Sequence, residues 1–304
     1  MYVNQDKGIV AGLASGFFWG TPFVVPMILH TYTALDITLG RFLFFGIFSL
    51  IYAKQSWQLF ISFNLQQRLK LILLATTGFW LYTLTLSKGV QLTNGVTSAL
   101  IAGSSPVVVA IFSKPRLTLK FISGLMLILI GLMFLVLPEV LSARHNSSAN
   151  DTSILGILIL LIALAMWSWF AIHNAKFLST NHKVKGIEYT SLIGIINMLM
   201  VVPIFLTQSS FEQLINHEQF SIYLICSVVL GVGASWIANI FWAYCSKNCP
   251  ATIVGTLIVS ETLFGLCYSF IYQQRLPFWN EYIAIIGLLS GVVLVIFSQR
   301  IKAH

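Results

Sequence analysis

Of 304 residues, 57% are hydrophobic and only 9% charged, with a mean hydropathy of +0.87. That balance excludes a soluble globular domain, whose surface needs far more Lys, Glu, Asp and Arg. A net charge of +8 would suit nucleic acid in a soluble protein, but in a membrane chain it matters by where the 17 Lys and Arg fall.

Runs of roughly 18 or more apolar residues recur and predict ten helical spans. In the first half they lie at about 8–29, 35–53, 70–87, 94–113 and 120–138. In the second they lie at about 154–176, 187–207, 220–245, 250–272 and 279–298. The runs are continuously apolar rather than alternating, which argues against a β-barrel. The first run is too long for a secretory signal and has no A-x-A cleavage site, so it reads as a retained helix. Thirteen basic residues, from Lys7 and Lys54 to Arg300 and Lys302, fall on the side that holds both termini. Lys88, Arg144 and Arg275 fall opposite, and Arg41 lies inside a span. This bias predicts cytoplasmic N- and C-termini.

Span 1 carries Pro22 and Pro26, which break its hydrogen-bond ladder and allow a gating bend. Arg41 lies six residues into span 2, about 9 Å deep. It can snorkel outward as a structural anchor, or face inward to meet a substrate carboxylate or hold a gate. Trp19, Trp80, Trp167 and Trp236 all fall near mid-depth. Buried packing explains any one of them, whereas four in helices 1, 3, 6 and 8 suggest a roomy aromatic-lined substrate cavity. Asn94, Ser98 and Ser105 follow helical spacing on span 4, and Asn239 stands three residues beyond Trp236. Such groups can hydrogen-bond either a ligand or a neighbouring helix.

Glu261 lies 11 residues after Pro250, roughly 16 Å into a core of about 30 Å. A carboxylate at the midplane is costly, so it faces the bundle interior or a wet cavity. It carries a coupling proton or binds an ammonium, braces a helix by hydrogen bonding, or pairs with Arg41. Gly265 and Tyr268, four and seven residues on, share its face. Gly265 then either borders a cavity or admits a close helix. The GLLSG stretch from Gly287 to Gly291 can pack span 10 within the chain or in a homodimer. Cys226, Cys245, Cys249 and Cys267 set no disulfide framework, and no metal site or cofactor is expected.

The polar stretch 139–153, with sequons at Asn146 and Asn150, divides the spans five and five. The halves are weakly alike: FFWGTPF resembles AMWSWFA, and TNGVTSALIAGSSP from Thr93 resembles CPATIVGTLIVSET from Cys249. An odd number of spans per half inverts the second copy, so the expected fold is all-α, with ten transmembrane helices as two inverted five-helix repeats. Residues 1–138 form the first repeat, 139–153 an extracytoplasmic linker and 154–304 the second. Secondary transporters are built this way, with the site near the midplane.

Trp19-Gly20, Arg41 in span 2, the SSP of span 4 at Pro106 and the Gly-rich last helix of each half resemble EamA-type members of the drug/metabolite transporter superfamily. SETLFGLCYSFIYQQRLP looks most like the bacterial aromatic amino acid exporter subgroup, although Pro115 and Gln274 replace its usual acidic residues. The resemblance implies a multi-pass inner-membrane exporter of amino acids or similar metabolites, with lipids and a small-molecule substrate as its partners. A nucleotide-derived, drug-like or lipid-linked substrate is the alternative. No HExxH, GxSxG or paired Asp suggests an enzyme.

Overall fold

The computed structural model describes residues 4–112, 117–143, 147–181, 184–208, 214–249, 254 and 257–298. The sequon at Asn146, Pro115 and the basic residues Lys114, Arg116, Arg144, Lys183, Arg300 and Lys302 lie outside these, as do Pro250 and Gly255 in the span that carries Glu261.

The regular secondary structure of the described residues is helical, and six helices are long and apolar enough to cross a membrane: Gln5–Ile28, Ala34–Ser62, Leu65–Leu92, Ser153–Leu178, Gly186–Ile204 and Phe220–Asn248. Shorter apolar helices lie at Gly95–Val109, Leu119–Phe134 and Trp279–Val295. Large apolar side chains such as Val10, Phe112, Leu199 and Ile286 stand exposed on the outside, as expected of an integral membrane protein whose surface meets lipid.

The first span breaks where its prolines predict. Helix α1 (Gln5–Trp19) stops at Gly20, a 3₁₀ turn covers Thr21–Phe23, and α2 (Val25–Ile28) follows, with a proline in the opening turn of each later piece. Proline removes an N–H and clashes with the preceding turn, so the ladder restarts twice. Helix α3 (Ala34–Ser49) begins with a capping box, in which Thr33 and Asp36 satisfy each other's backbone N–H groups. Asp36 is thereby engaged at the helix end, away from Arg41.

Helices α4 (Ala53–Ser62), α5 (Leu65–Ala75) and α6 (Tyr82–Leu92) follow, with a π-helical segment at Thr76–Leu81. Next come α7 (Gly95–Gly103), capped by Asn94, and α8 (Ser105–Phe112), separated by a turn at Ser104. Helices α9 (Leu119–Ala143) and α10 (Ser147–Thr180) run into the polar stretch from both sides, so the expected linker is helical at both ends. Then come α11 (Gly186–Gln208), α12 (Phe220–Val228), a second π-helical segment at Val229–Ile237 and α13 (Ala238–Asn248). The last two helices are α14 (Val259–Gln273) and α15 (Trp279–Ser298).

Glycines set the helix contacts. A Cβ on Gly291 would lie 2.6 Å from the Gly124 carbonyl oxygen, and one on Gly287 would lie 2.9 Å from that of Leu127. The GLLSG stretch is therefore used inside the chain, seating α15 on α9. Other main contacts pair α3 with α11, α1 with α13, α6 with α10, and α14 with both α7 and α1. Among the described residues the two larger apolar cores lie around Phe23, Leu100 and Val292 and around Phe42, Phe45 and Phe177.

Candidate functional site

Between α1, α8, α10, α11, α13 and α14 lies a cavity of about 720 Å³. Its walls are Trp19, Trp167, Phe170, Tyr189 and Trp242, and its polar lining includes Ser105, Asn174, Asn181, Thr190, Asn239, Ser246, Lys247 and Glu261. Asn181, Gly186 and Lys247 mark the end of the bundle where α10 finishes and α11 begins. The start of α1 lies at that same end, because a Cβ on Gly8 would touch the Cys249 sulfur.

The depth of Glu261 follows from α1. A Cβ on Gly16 would meet Ser260 and the Glu261 backbone nitrogen, the latter at 3.1 Å. Gly16 is eleven residues past Gln5, so Glu261 lies roughly 16 Å in, at 1.5 Å per residue. It occupies the first turn of α14, its N–H bonded to the Ile258 carbonyl at 3.2 Å. A helix N-terminus favours a carboxylate, which offsets part of the cost of that depth.

The aromatic walls are mutually braced. Trp19 and Trp242 have ring centroids 5.2 Å apart, and Trp167 lies 4.9 Å from Tyr82 and 5.3 Å from Phe170. Asn239 donates to the Ser235 carbonyl, and Tyr189 donates to the Asn174 side-chain oxygen. These bonds fix the amide orientations toward the cavity.

Of the residues expected at the site, Trp19, Trp167, Asn239 and Glu261 converge on the cavity. The others do not. Trp80 packs against the second core. Trp236 donates to the Ser191 hydroxyl at 3.2 Å, beside Phe48 and Tyr52. Tyr268 donates to the Phe17 carbonyl at 3.0 Å and stacks with Phe264. Gly265 is filled by helix contact, since its Cβ would sit 2.5 Å from the Phe23 ring. The α14 face beyond Glu261 thus meets the first span rather than open space. Pro22 and Pro26 lie just past Trp19, at the broken part of that span.

Arg41 faces inward. It is 6% exposed, and its Nε donates to the Ser235 hydroxyl at 2.9 Å. Tyr82 and Glu261 lie near it, yet no ion pair within 4 Å joins it to the carboxylate. Sequence reasoning missed Trp242, Tyr189, Asn174 and Phe170 as lining residues. The signal was a stripe at helical spacing, Trp167, Phe170, Asn174, Leu178 and Asn181, continuing down α10 from a tryptophan already singled out.

Residues 6–137 match the EamA-like transporter family. Over 97% of its length the chain is also 28% identical to the inner membrane protein YtfF of Escherichia coli (strain K12), 97% of which is covered. A solved crystal structure shares the fold, with a TM-score of 0.61 over 97% of this chain and 99% of that one at 16% identity. Together the family match and the YtfF similarity support a transporter role.

Proposed function

We propose that the protein is a secondary transporter of the inner membrane that exports amino acids, aromatic ones first, by alternating access. The carrying observation is a cavity of about 720 Å³ with aromatic walls and, among its described lining residues, one carboxylate, Glu261, beside Gly16 of the first span. Cavities of roughly 300–1,000 Å³ suit small ligands, and indole or phenyl rings stack on Trp and Tyr faces. A carboxylate among them receives an ammonium or a coupling proton. A phosphate-bearing substrate would want clustered cations, and among the described lining residues Lys247 alone is basic.

The proposed architecture is ten spans in two inverted five-helix repeats, with both termini in the cytoplasm and the cavity open on that side. The packing supports it, because α3 with α11 and α9 with α15 are equivalent spans of the two halves, while α1 with α13 mirrors α10 with α6. Both third spans carry a π-helical segment. In one, Gly78 abuts Phe170, and in the other Gly233 abuts Phe18.

Counterflow in proteoliposomes against a panel of amino acids, nucleosides, nucleotide sugars and lipids tests the proposal. Exchange of aromatic amino acids is the expected result. Exchange of a nucleotide sugar with no amino acid moving would overturn it.

A further inference from the structure

Arg41 is a positive charge enclosed by the bundle, with a single hydrogen bond among the described residues, from Nε to Ser235. Its Nη1 is buried and has no hydrogen-bond partner among the described residues. Buried guanidinium N–H groups are ordinarily matched, so one left open points to a missing acceptor. Ser235 belongs to the π-helical segment at Val229–Ile237 and donates in turn to the Leu230 carbonyl at 2.9 Å, which holds its hydroxyl toward Arg41. π-Helical segments of this kind recur at functional sites.

Besides the Phe42 ring, 5.6 Å from the guanidinium, two groups lie near it. One is Glu261, which lines the cavity, and the other is Tyr82. The Tyr82 ring packs 4.9 Å from Trp167, itself part of the cavity wall. The guanidinium lies one residue behind the cavity lining, since its partner Ser235 accepts through its backbone carbonyl a bond from Asn239, which lines the cavity. Asp36, the acidic group on the same helix, is taken up by the Thr33 cap. The centre therefore offers one acidic and one basic group with no direct ion pair between them.

We infer that Arg41 is the carboxylate-recognising residue of this site, so that the ligand is a zwitterion whose carboxylate meets Arg41 Nη1 and whose ammonium meets Glu261. The inference rests on the amino acid reading above and deepens it. A guanidinium is the side chain best suited to hold a carboxylate where water is scarce. A zwitterion also leaves the occupied site with no net charge beyond that of the empty one, which suits carriage across a bilayer.

Three probes that differ only in charged groups test this: L-tryptophan, tryptamine and indole-3-propionate, in counterflow with reconstituted protein. The wild type should exchange L-tryptophan at least tenfold faster than either of the others. Arg41→Gln should lower the tryptophan-to-tryptamine rate ratio at least tenfold, about 1.4 kcal/mol. A ratio is independent of how much protein folds. Arg41→Lys, which keeps the charge but loses the planar fork, should lower it by a smaller factor. An unchanged ratio in both variants overturns the inference and leaves the amino acid reading standing, because Arg41 then only braces Ser235. Failure of wild-type protein to move L-tryptophan at all overturns both.

Discussion

Replacing Glu281 by Gln should loosen the turn that ties α14 to α15. Arg275 reaches Glu281 through two bonds, Nη1 to Oε2 at 2.6 Å and Nη2 to Oε1 at 2.7 Å. The Phe278 N–H donates to Oε2 at 2.7 Å, and the Arg275 guanidinium stacks 4.4 Å from the Phe278 ring. The chain reverses at Gln274, where φ is 50°, so the clamp holds a left-handed residue in place. Gln keeps one carbonyl acceptor and loses the charge. Breaking a buried pair costs about 3–5 kcal/mol. The Arg275 side chain is 25% exposed, however, and water replaces part of the loss, leaving about 2 kcal/mol. At about 2–4 °C per kcal/mol for a large domain, Tm should fall by about 4–8 °C. Tryptophan fluorescence melting in detergent reads this, and Arg275→Gln with the double variant completes a cycle with a coupling of about 1–2 kcal/mol. Hydrogen bonding to Glu281 holds the Arg275 guanidinium above its ordinary value. The stabilisation from Arg275 is therefore full below that value and lost only as pH rises past the still higher folded one, so it should stay flat between about pH 6 and 10. A Glu281→Gln melt within about 1 °C of wild type would refute the reasoning.

Glu261→Gln should cut aromatic amino acid exchange at least tenfold, about 1.4 kcal/mol, and abolish any response to an imposed proton gradient; normal counterflow at every pH would remove Glu261 from coupling. Trp19→Ala and Trp242→Ala should each weaken apparent substrate affinity by about 0.5–1.5 kcal/mol. Trp80→Phe and Trp236→Phe, outside the cavity, should change Tm and leave affinity within twofold, and tritiated substrate binding separates the two classes. Gly291→Val should force α15 from α9, where its Cβ meets the Gly124 carbonyl at 2.6 Å, and cost about 1–3 kcal/mol in a melt. Lys88→Cys and Lys247→Cys, both exposed, should react with impermeant maleimide from opposite faces of oriented vesicles; labelling from one face would contradict the inverted repeat.

Six of the ten expected spans were legible as helices long enough to cross, because lipid imposes one rule, a long apolar run, which hydropathy reads directly. Helix ends were less so. The amphipathic α4 continues the second span to Ser62, and the polar 139–153 stretch is helical on both flanks, because polar residues can extend a helix that no longer crosses anything. Depth came from counting residues, and Glu261, Trp19 and Trp167 do sit at the inner part of the cavity. Azimuth did not. Trp80 and Trp236 share that depth yet pack against the core around Phe42 and Phe45, Trp236 donating to Ser191, and which way a helix face turns depends on the helices packed beside it. Tyr268 failed for the same reason: the face it shares with Glu261 is covered by Phe17 and Phe23 after one turn.

What brings the polar residues to the cavity is the interruption of helices rather than their regular course. Trp19 ends α1 where Gly20 and Pro22 stop the ladder, Ser105 opens α8 after the turn at Ser104, and Glu261 sits in the first turn of α14. A helix start exposes free N–H groups that favour an acceptor or a carboxylate at depth. In the alignment of TNGVTSALIAGSSP with CPATIVGTLIVSET, Ser105 and Glu261 are the same position. Both line the cavity, one with a hydroxyl and the other with a carboxylate. The two halves would therefore offer like geometry and unlike charge. In the alternating-access reading proposed above, Glu261, the one carboxylate among the described lining residues, belongs to the second repeat alone, so the substrate would meet different chemistry in each half of the cycle and one side chain's electrostatics would set direction.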